Sequence, residues 1–195
     1  MESILEEVER LRATTDRFMR VLSIDTPNFT QVDINELLNG LLKKYKNIIP
    51  EQLKLKIIFA QDLPLVRCDE VQITTVFVNI LENAIEAMEG KGIISLRTSL
   101  VEKIRDKVQI INKETQAEPD IKRLIEIRIE DTGKGLSSDQ MQNLFKPFYS
   151  TKENGTGLGL VIAKRIIESH KGEILISSKK GIGTVVTVLL PIAGV

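Results

Sequence analysis

Apolar positions along this chain change period several times, and each change marks an element. Residues 1–22 place Ile4, Val8, Leu11, Thr15, Phe18 and Leu22 at alternating four- and three-residue steps, with Glu and Arg around them. That is the seam of a coiled-coil helix of about three heptads. So short a helix is marginal alone, which leaves two arrangements: it pairs with a second copy or a partner helix, or it folds back on its own domain. Asp25-Thr26-Pro27-Asn28 ends it, because proline fixes φ and pushes the residue before it toward extended backbone. The chain therefore divides into residues 1–28 and residues 29–195.

In the second part, residues 29–32 read as a short strand, and Asp33 and Glu36 have capping-box spacing before an amphipathic helix to about residue 47. Leu53, Leu55 and Ile57 alternate with polar or outward positions and predict a strand over 53–59. After a turn at Pro64, Asp69 caps the longest apolar helix, residues 70–88, which Gly90 and Gly92 stop. A strand over 93–100 follows. Residues 102–123 are mostly polar, with 112–120 the strongest loop signal and Val108 to Ile111 a candidate extension of a hairpin. Ile125, Ile127 and Ile129 alternate in a strand over 124–130; a helix begins near Leu160; residues 173–178 and 184–190 form a hairpin around Gly181 and Gly183. Strands with helices grouped between them predict an α/β fold, a two-layer sandwich of one mixed sheet and one helical layer.

Composition narrows the function. Lys+Arg and Asp+Glu both total 27, so no global basic field points to nucleic acid as a partner. No run approaches 18 apolar residues, and no signal peptide precedes the first charged helix, so the chain is expected to be cytoplasmic or the cytoplasmic piece of something larger. The single cysteine, Cys68, excludes an internal disulfide and reads as a small buried hydrophobe rather than a reactive thiol.

The candidate chemistry lies between Asp131 and Leu160. Two glycine clusters, Gly133/Gly135 and Gly155/Gly157/Gly159, bracket an aromatic-rich segment. Glycine that dense marks turns or backbone lying against a ligand. The second cluster opens a helix, where unpaired N–H groups and the positive end of the dipole favour an anion; an ordinary flexible loop is the alternative. Asn79 and Asn83 are four apart on one face of an apolar helix, and their amides need partners. Phosphate oxygens and Mg²⁺ could serve, or neighbouring backbone. Asp131, just after a strand, either accepts a hydrogen bond from an exocyclic amine such as that of adenine or supports the turn.

Five motifs now stand in order: Asn79-Ile-Leu-Glu-Asn83, DTGKG from Asp131, FKPFYSTK from Phe145, GTGLGL from Gly155 and GIGT from Gly181. Together they resemble the N, glycine and F boxes of the ATP-binding domain of sensor histidine kinases, in the superfamily that also holds gyrase and MutL. The FYSTK form is most similar to kinases of the nitrogen-regulation type. The resemblance covers about residues 29–191, and residues 1–28 resemble the end of that family's dimerisation region and its linker.

The resemblance implies a Bergerat-type ATP-binding fold with ATP and Mg²⁺ as cofactors. It implies Asn83 on Mg²⁺, Asn79 beside the phosphates, and Asp131 on the adenine amine. Gly133 and Gly135 would let backbone approach the base, and Thr184 would support Asp131 through its hydroxyl or a water. Gly155, Thr156, Gly157, Leu158 and Gly159 would wrap the triphosphate, with Lys152 as an added phosphate contact. Residues 144–154 would be a mobile lid, docked by Phe145, Phe148 and Tyr149 when nucleotide is bound and disordered or displaced without it. The superfamily's ATPases have a water-activating glutamate four residues before the metal-binding asparagine; here that position is Asn79, a poor base, so slow hydrolysis is expected. Glu82 and Glu86 are either helpers in phosphoryl transfer or solvated side chains.

The family phosphorylates a histidine on a dimerisation helix, followed by Glu or Asp. The single histidine here, His170, ends the helix after GTGLGL and is expected to be structural. The implied function is the catalytic ATP-binding domain of a two-component histidine kinase, acting on a histidine supplied in trans and serving a response regulator. Homodimerisation through residues 1–22 and a place in the cytoplasmic part of a membrane-bound sensor go with it. The alternatives are a stand-alone serine kinase of the anti-sigma-factor type and a nucleotide-gated interaction module.

Overall fold

The computed structural model describes residues 26–46, 48–104, 121–152 and 155–192. The coiled-coil helix expected over residues 1–22 and the candidate hairpin extension at Val108 to Ile111 lie outside them. In chain order the elements are β1 (Thr30–Val32), α1 (Ile34–Tyr45), β2 (Leu53–Ile58), β3 (Val66–Cys68), α2 (Glu70–Ala87), β4 (Gly92–Ile104), β5 (Ile121–Asp131), α3 (Ser138–Asn143), α4 (Gly159–Ser169), β6 (Glu173–Lys179) and β7 (Gly183–Pro191).

A five-stranded sheet in the order β2-β4-β5-β7-β6 forms one layer. β2 and β4 are parallel and the other neighbours antiparallel, so the sheet is mixed as expected. Alternation decides which face is covered. Ile125, Ile127 and Ile129 of β5 are buried, whereas Arg128 and Glu130 are exposed. The helices cover the buried face with α1 (Leu37, Leu38, Leu41), α2 (Ile73, Phe77, Ile80, Leu81) and α4 (Ala163, Ile166, Ile167), all in one core. Burying a side chain such as Phe77 contributes roughly 1.5–3 kcal/mol, so this layer holds the sheet through many such terms.

Three features depart from the expectation. β1 and β3 pair antiparallel as a separate two-stranded sheet. β3 is three residues long, too short to show a period, and only its pairing with β1 makes it a strand. β4 runs on to Ile104 and β5 starts at Ile121, so the polar stretch after residue 100 is in part a continued ladder, with Val101 opposite Leu124 and Glu102 opposite Arg123. Cross-strand pairing overrides weak local propensity there. The helix α3 went unread because it has no apolar stripe; Ser137 and Gln140 form its reciprocal capping box.

Caps fix the helix positions. Asp33 Oδ1 accepts the N–H groups of Asn35 and Glu36 at the start of α1. Asp69 does more. Its Oδ1 accepts the Gln72 N–H at 3.0 Å and its Oδ2 the Asn28 N–H at 2.8 Å, while its own N–H donates to His170 Nε2 at 2.9 Å. Burial raises the Asp69 pKa, and the backbone donors around it outweigh that, leaving the carboxyl below its ordinary value. His170 Nδ1 lies 2.7 Å from the Ile166 carbonyl, so the ring donates there and accepts at Nε2. The linker, the start of α2 and the end of α4 thus meet at one histidine, with Phe29 packed edge-on against its ring.

Candidate nucleotide site

A cleft of about 1060 Å³ opens between α2, the end of β5, the loop before α4 and residues 149–152. Asp131 forms its inner end. It is the last residue of β5 and is paired on both sides, with Ile94 and Thr184, which leaves it 6% exposed. Its Oδ1 accepts the Gly133 N–H at 2.8 Å and the Thr184 N–H at 3.3 Å. No described residue bonds to Oδ2. Burial pushes the carboxyl above its ordinary pKa, against the lowering effect of the two N–H donors. A buried acceptor held by two backbone donors is preorganised for a donor of fixed direction, such as an exocyclic amine.

Thr184 supports Asp131 through its backbone N–H, because its hydroxyl is paired with Ser178 Oγ at 2.9 Å. Gly133 and Gly135 also do something the sequence did not show. Gly135 has φ +61°, and a Cβ there would stand 2.1 Å from the Lys179 carbonyl; one at Gly133 would meet the Ala87 carbonyl at 2.6 Å. The first glycine loop is therefore pinned against the β6–β7 turn and the end of α2, which holds the cleft's inner wall in place.

Along α2, Asn79 Nδ2 donates to the Thr75 carbonyl at 2.9 Å, and its Oδ1 faces the start of α4: a Cβ at Gly159 would stand 2.7 Å away. Asn83 Oδ1 accepts from Lys152 Nζ at 2.7 Å, and the same ammonium pairs with the Glu86 carboxylate. Glu82 accepts the Tyr45 hydroxyl at 3.1 Å. Desolvation by burial, then the Glu82 carboxylate, push Tyr45 up to about 12. Asn79, Asn83, Asp131, Lys152, Gly155, Thr156, Gly157, Leu158, Gly159 and Thr184 all line the cleft, as do Glu82 and Glu86. The Glu86–Lys152 pair was not foreseen; the three-residue step from Asn83 to Glu86 was its one signal.

The glycine loop ends in a helix start with no side-chain cap: Leu158 is the N-cap of α4 and offers no capping bond. The first-turn N–H groups are then available to an anion at the dipole's positive end. Gly157 at φ +65° lies against the backbone of Phe148 and Tyr149. Asn83 presents its amide oxygen to a cation already, the Lys152 ammonium, which is donor chemistry that suits Mg²⁺. Among the described residues no group of three or more His, Cys, Asp or Glu could hold a metal ion, so a metal here would draw on Asn83 and water, with a ligand's phosphates completing its shell. No helix of the described residues is long and apolar enough to cross a membrane.

Residues 68–194 match the family described as histidine kinase-, DNA gyrase B-, and HSP90-like ATPase. The chain belongs to that family. As a member of this ATPase family it binds ATP. Sporulation kinase E of Bacillus subtilis (strain 168) is 31% identical over 97% of this chain and 23% of its own length. The sensory histidine kinase/phosphatase NtrB of Rhodobacter capsulatus is 30% identical over 97% of this chain and 51% of its own length. The chain thus spans from 23% to 51% of the length of these curated relatives. Among solved structures, the histidine kinase ThkA in complex with the response regulator protein TrrA superposes with a TM-score of 0.71 at 21% identity, over 97% of this chain and 49% of that one; that likeness shows the shared fold.

Proposed function

We propose that this chain is the ATP- and Mg²⁺-binding catalytic domain of a two-component sensor histidine kinase, and that it transfers the γ-phosphate to a histidine on a dimerisation domain. The observation that carries the reading is Asp131: a buried carboxylate with one oxygen fixed by two backbone donors, facing a cleft whose other walls are the asparagine helix and an uncapped helix start. Asp131 holds the adenine amine. The loop of Gly155, Thr156, Gly157, Leu158 and Gly159 brings its N–H groups to the triphosphate, and Lys152 adds a positive charge. Asn83 would hold Mg²⁺, which supplies charge neutralisation at the phosphate oxygens.

Asn79 explains why the phosphate waits for an acceptor. Its amide nitrogen is committed to the Thr75 carbonyl, and an amide takes no proton from water at neutral pH, so no base at that position activates hydrolysis. Glu82 would assist transfer on release from Tyr45. His170 is 3% exposed with both ring nitrogens bonded, which suits a helix-end tie and not a phosphoacceptor. The acceptor is therefore a histidine outside this chain, on a histidine-bearing dimerisation domain, and the phosphate passes on to a response regulator. Residues 1–22 would make the protein a homodimer, and the reaction would take place in the cytoplasm. That one of the relatives, NtrB, is named a sensory histidine kinase/phosphatase supports this reading over a stand-alone serine kinase.

The test is incubation with radiolabelled ATP, Mg²⁺ and a histidine-bearing helical domain from a kinase of this type, followed by acid. Label on the acceptor that acid removes is the expected result. Acid-stable label, or binding of ATP with no transfer to any acceptor, would contradict it.

A further inference from the structure

We propose that Asn83 and Glu86 together form one cation seat on α2, and that the Lys152 ammonium fills it until a divalent metal arrives. The proposal rests on the nucleotide-site reading above and adds a second metal-facing oxygen and a competitor to it. Residues three apart on a helix share a face, and here the amide oxygen of Asn83 and the carboxylate of Glu86 converge on the same nitrogen, Lys152 Nζ, from a different part of the chain. An amide oxygen and a carboxylate oxygen are hard donors of the kind Mg²⁺ takes alongside water and phosphate. A lysine ammonium and a divalent ion repel each other, so one nitrogen and one metal cannot share the seat.

A second contact shows where the lysine's segment is anchored. A Cβ at Gly155 would stand 2.1 Å from Ser150 Oγ, and one at Gly157 would stand 2.6 Å from the Tyr149 nitrogen, so residues 149–150 lie against the loop that would receive the triphosphate. The segment 149–152 thus touches both the Gly155 loop and α2. Metal entering the seat releases Lys152, and the freed ammonium becomes the phosphate contact. The base end of the site, at Asp131, takes no part in this exchange. The pair is exposed, with Lys152 and Glu86 side chains at 45% and 55%, so solvent screens the competition and keeps it modest.

The experiment measures Mn²⁺ alone as the probe, by the electron paramagnetic resonance of the free ion, at ionic strength matched with NaCl. Lys152→Met is expected to bind Mn²⁺ about two- to fivefold tighter than the wild type, the range of an exposed ion pair. Glu86→Gln is expected to weaken binding in both backgrounds. In parallel, the side-chain ammonium signal of Lys152 in ¹⁵N-labelled protein, assigned by its loss in Lys152→Met, is expected to shift when Mg²⁺ is added without nucleotide. Equal or weaker Mn²⁺ binding by Lys152→Met, or an ammonium signal that Mg²⁺ leaves in place, overturns the seat. Binding of AMP in EDTA reads the base site separately: if AMP binds and the metal results fail, the seat alone is wrong; if AMP does not bind, the nucleotide reading beneath it is wrong.

Discussion

Replacing Asp131 by asparagine separates the residue's structural bonds from its ligand bond. The amide oxygen can still accept the Gly133 and Thr184 N–H groups, so the first glycine loop keeps its anchor. The second oxygen becomes an NH₂ group, and the adenine amine then meets a donor instead of an acceptor. Losing a hydrogen bond to a charged acceptor costs about 1.5–3 kcal/mol and facing two donors together costs about 1–3 more. A total of about 2.5–6 kcal/mol corresponds to roughly two to four powers of ten in Kd. The fold should not suffer. Burial raises the Asp131 pKa in the folded state, so its stabilising effect is full below the ordinary carboxylate range and is lost as pH rises through the raised value; at neutral pH the ionised group costs stability. Asp131→Asn should therefore melt at the wild-type temperature or a few degrees above it at pH 7. Calorimetric titration with ATP analogue and with the inosine analogue completes the test. A 6-oxo purine presents an acceptor where adenine presents a donor, so the variant should lose its preference for adenine and gain relative affinity for inosine. Wild-type affinity for ATP analogue in Asp131→Asn would refute the argument that this carboxylate reads the base. For wild type, binding should weaken as pH falls through a value above the ordinary carboxylate pKa, because the acceptor is then protonated.

Other outcomes follow from the same geometry. His170→Ala leaves the part-buried Asp69 N–H without its acceptor and should cost about 1–3 kcal/mol, a drop of roughly 2–12 °C in Tm, while phosphate transfer to a supplied histidine persists below that Tm. Gly135→Ala places a Cβ against the Lys179 carbonyl at positive φ and should destabilise by at least 1–3 kcal/mol or so in urea unfolding. Gly40→Ala in the middle of α1 meets nothing within 4 Å and should stabilise by about 0.5–1 kcal/mol in the same assay. Absorbance titration should place Tyr45 at about 12, so the stability from its bond to Glu82 is complete below the ordinary tyrosine pKa and is lost as pH rises from there through the raised value; Tyr45→Phe should remove this dependence.

The candidate site was legible in the sequence wherever an unusual residue stands out from its element. Asn79 and Asn83 stood out because amides are out of place on an apolar helix, and Asp131 because a strand of alternating isoleucines delivers it to a sheet end. The layers were legible for a related reason: burial on one face imposes period two on β5 and helical spacing on α1, α2 and α4. What the sequence hid was set by distant partners. β3 exists because β1 pairs with it, and the outer ends of β4 and β5 because they pair with each other. The glycines of DTGKG suggested a ligand, yet Gly133 and Gly135 meet the carbonyls of Ala87 and Lys179, contacts that no local pattern announces. Lys152, the last residue of FKPFYSTK, was expected as a phosphate contact on the strength of the resemblance, and its bonds to Asn83 and Glu86 come from the path the chain takes back to α2.

The most direct measurement of the central claim is a crystal structure of the protein with Mg²⁺ and a non-hydrolysable ATP analogue. The account predicts the purine amine on the free oxygen of Asp131, the phosphates at the start of α4, and the metal on Asn83 with Lys152 moved from its present bond. Nucleotide bound away from the cleft between α2 and the Gly155 loop, or a purine whose amine does not face Asp131, would contradict it.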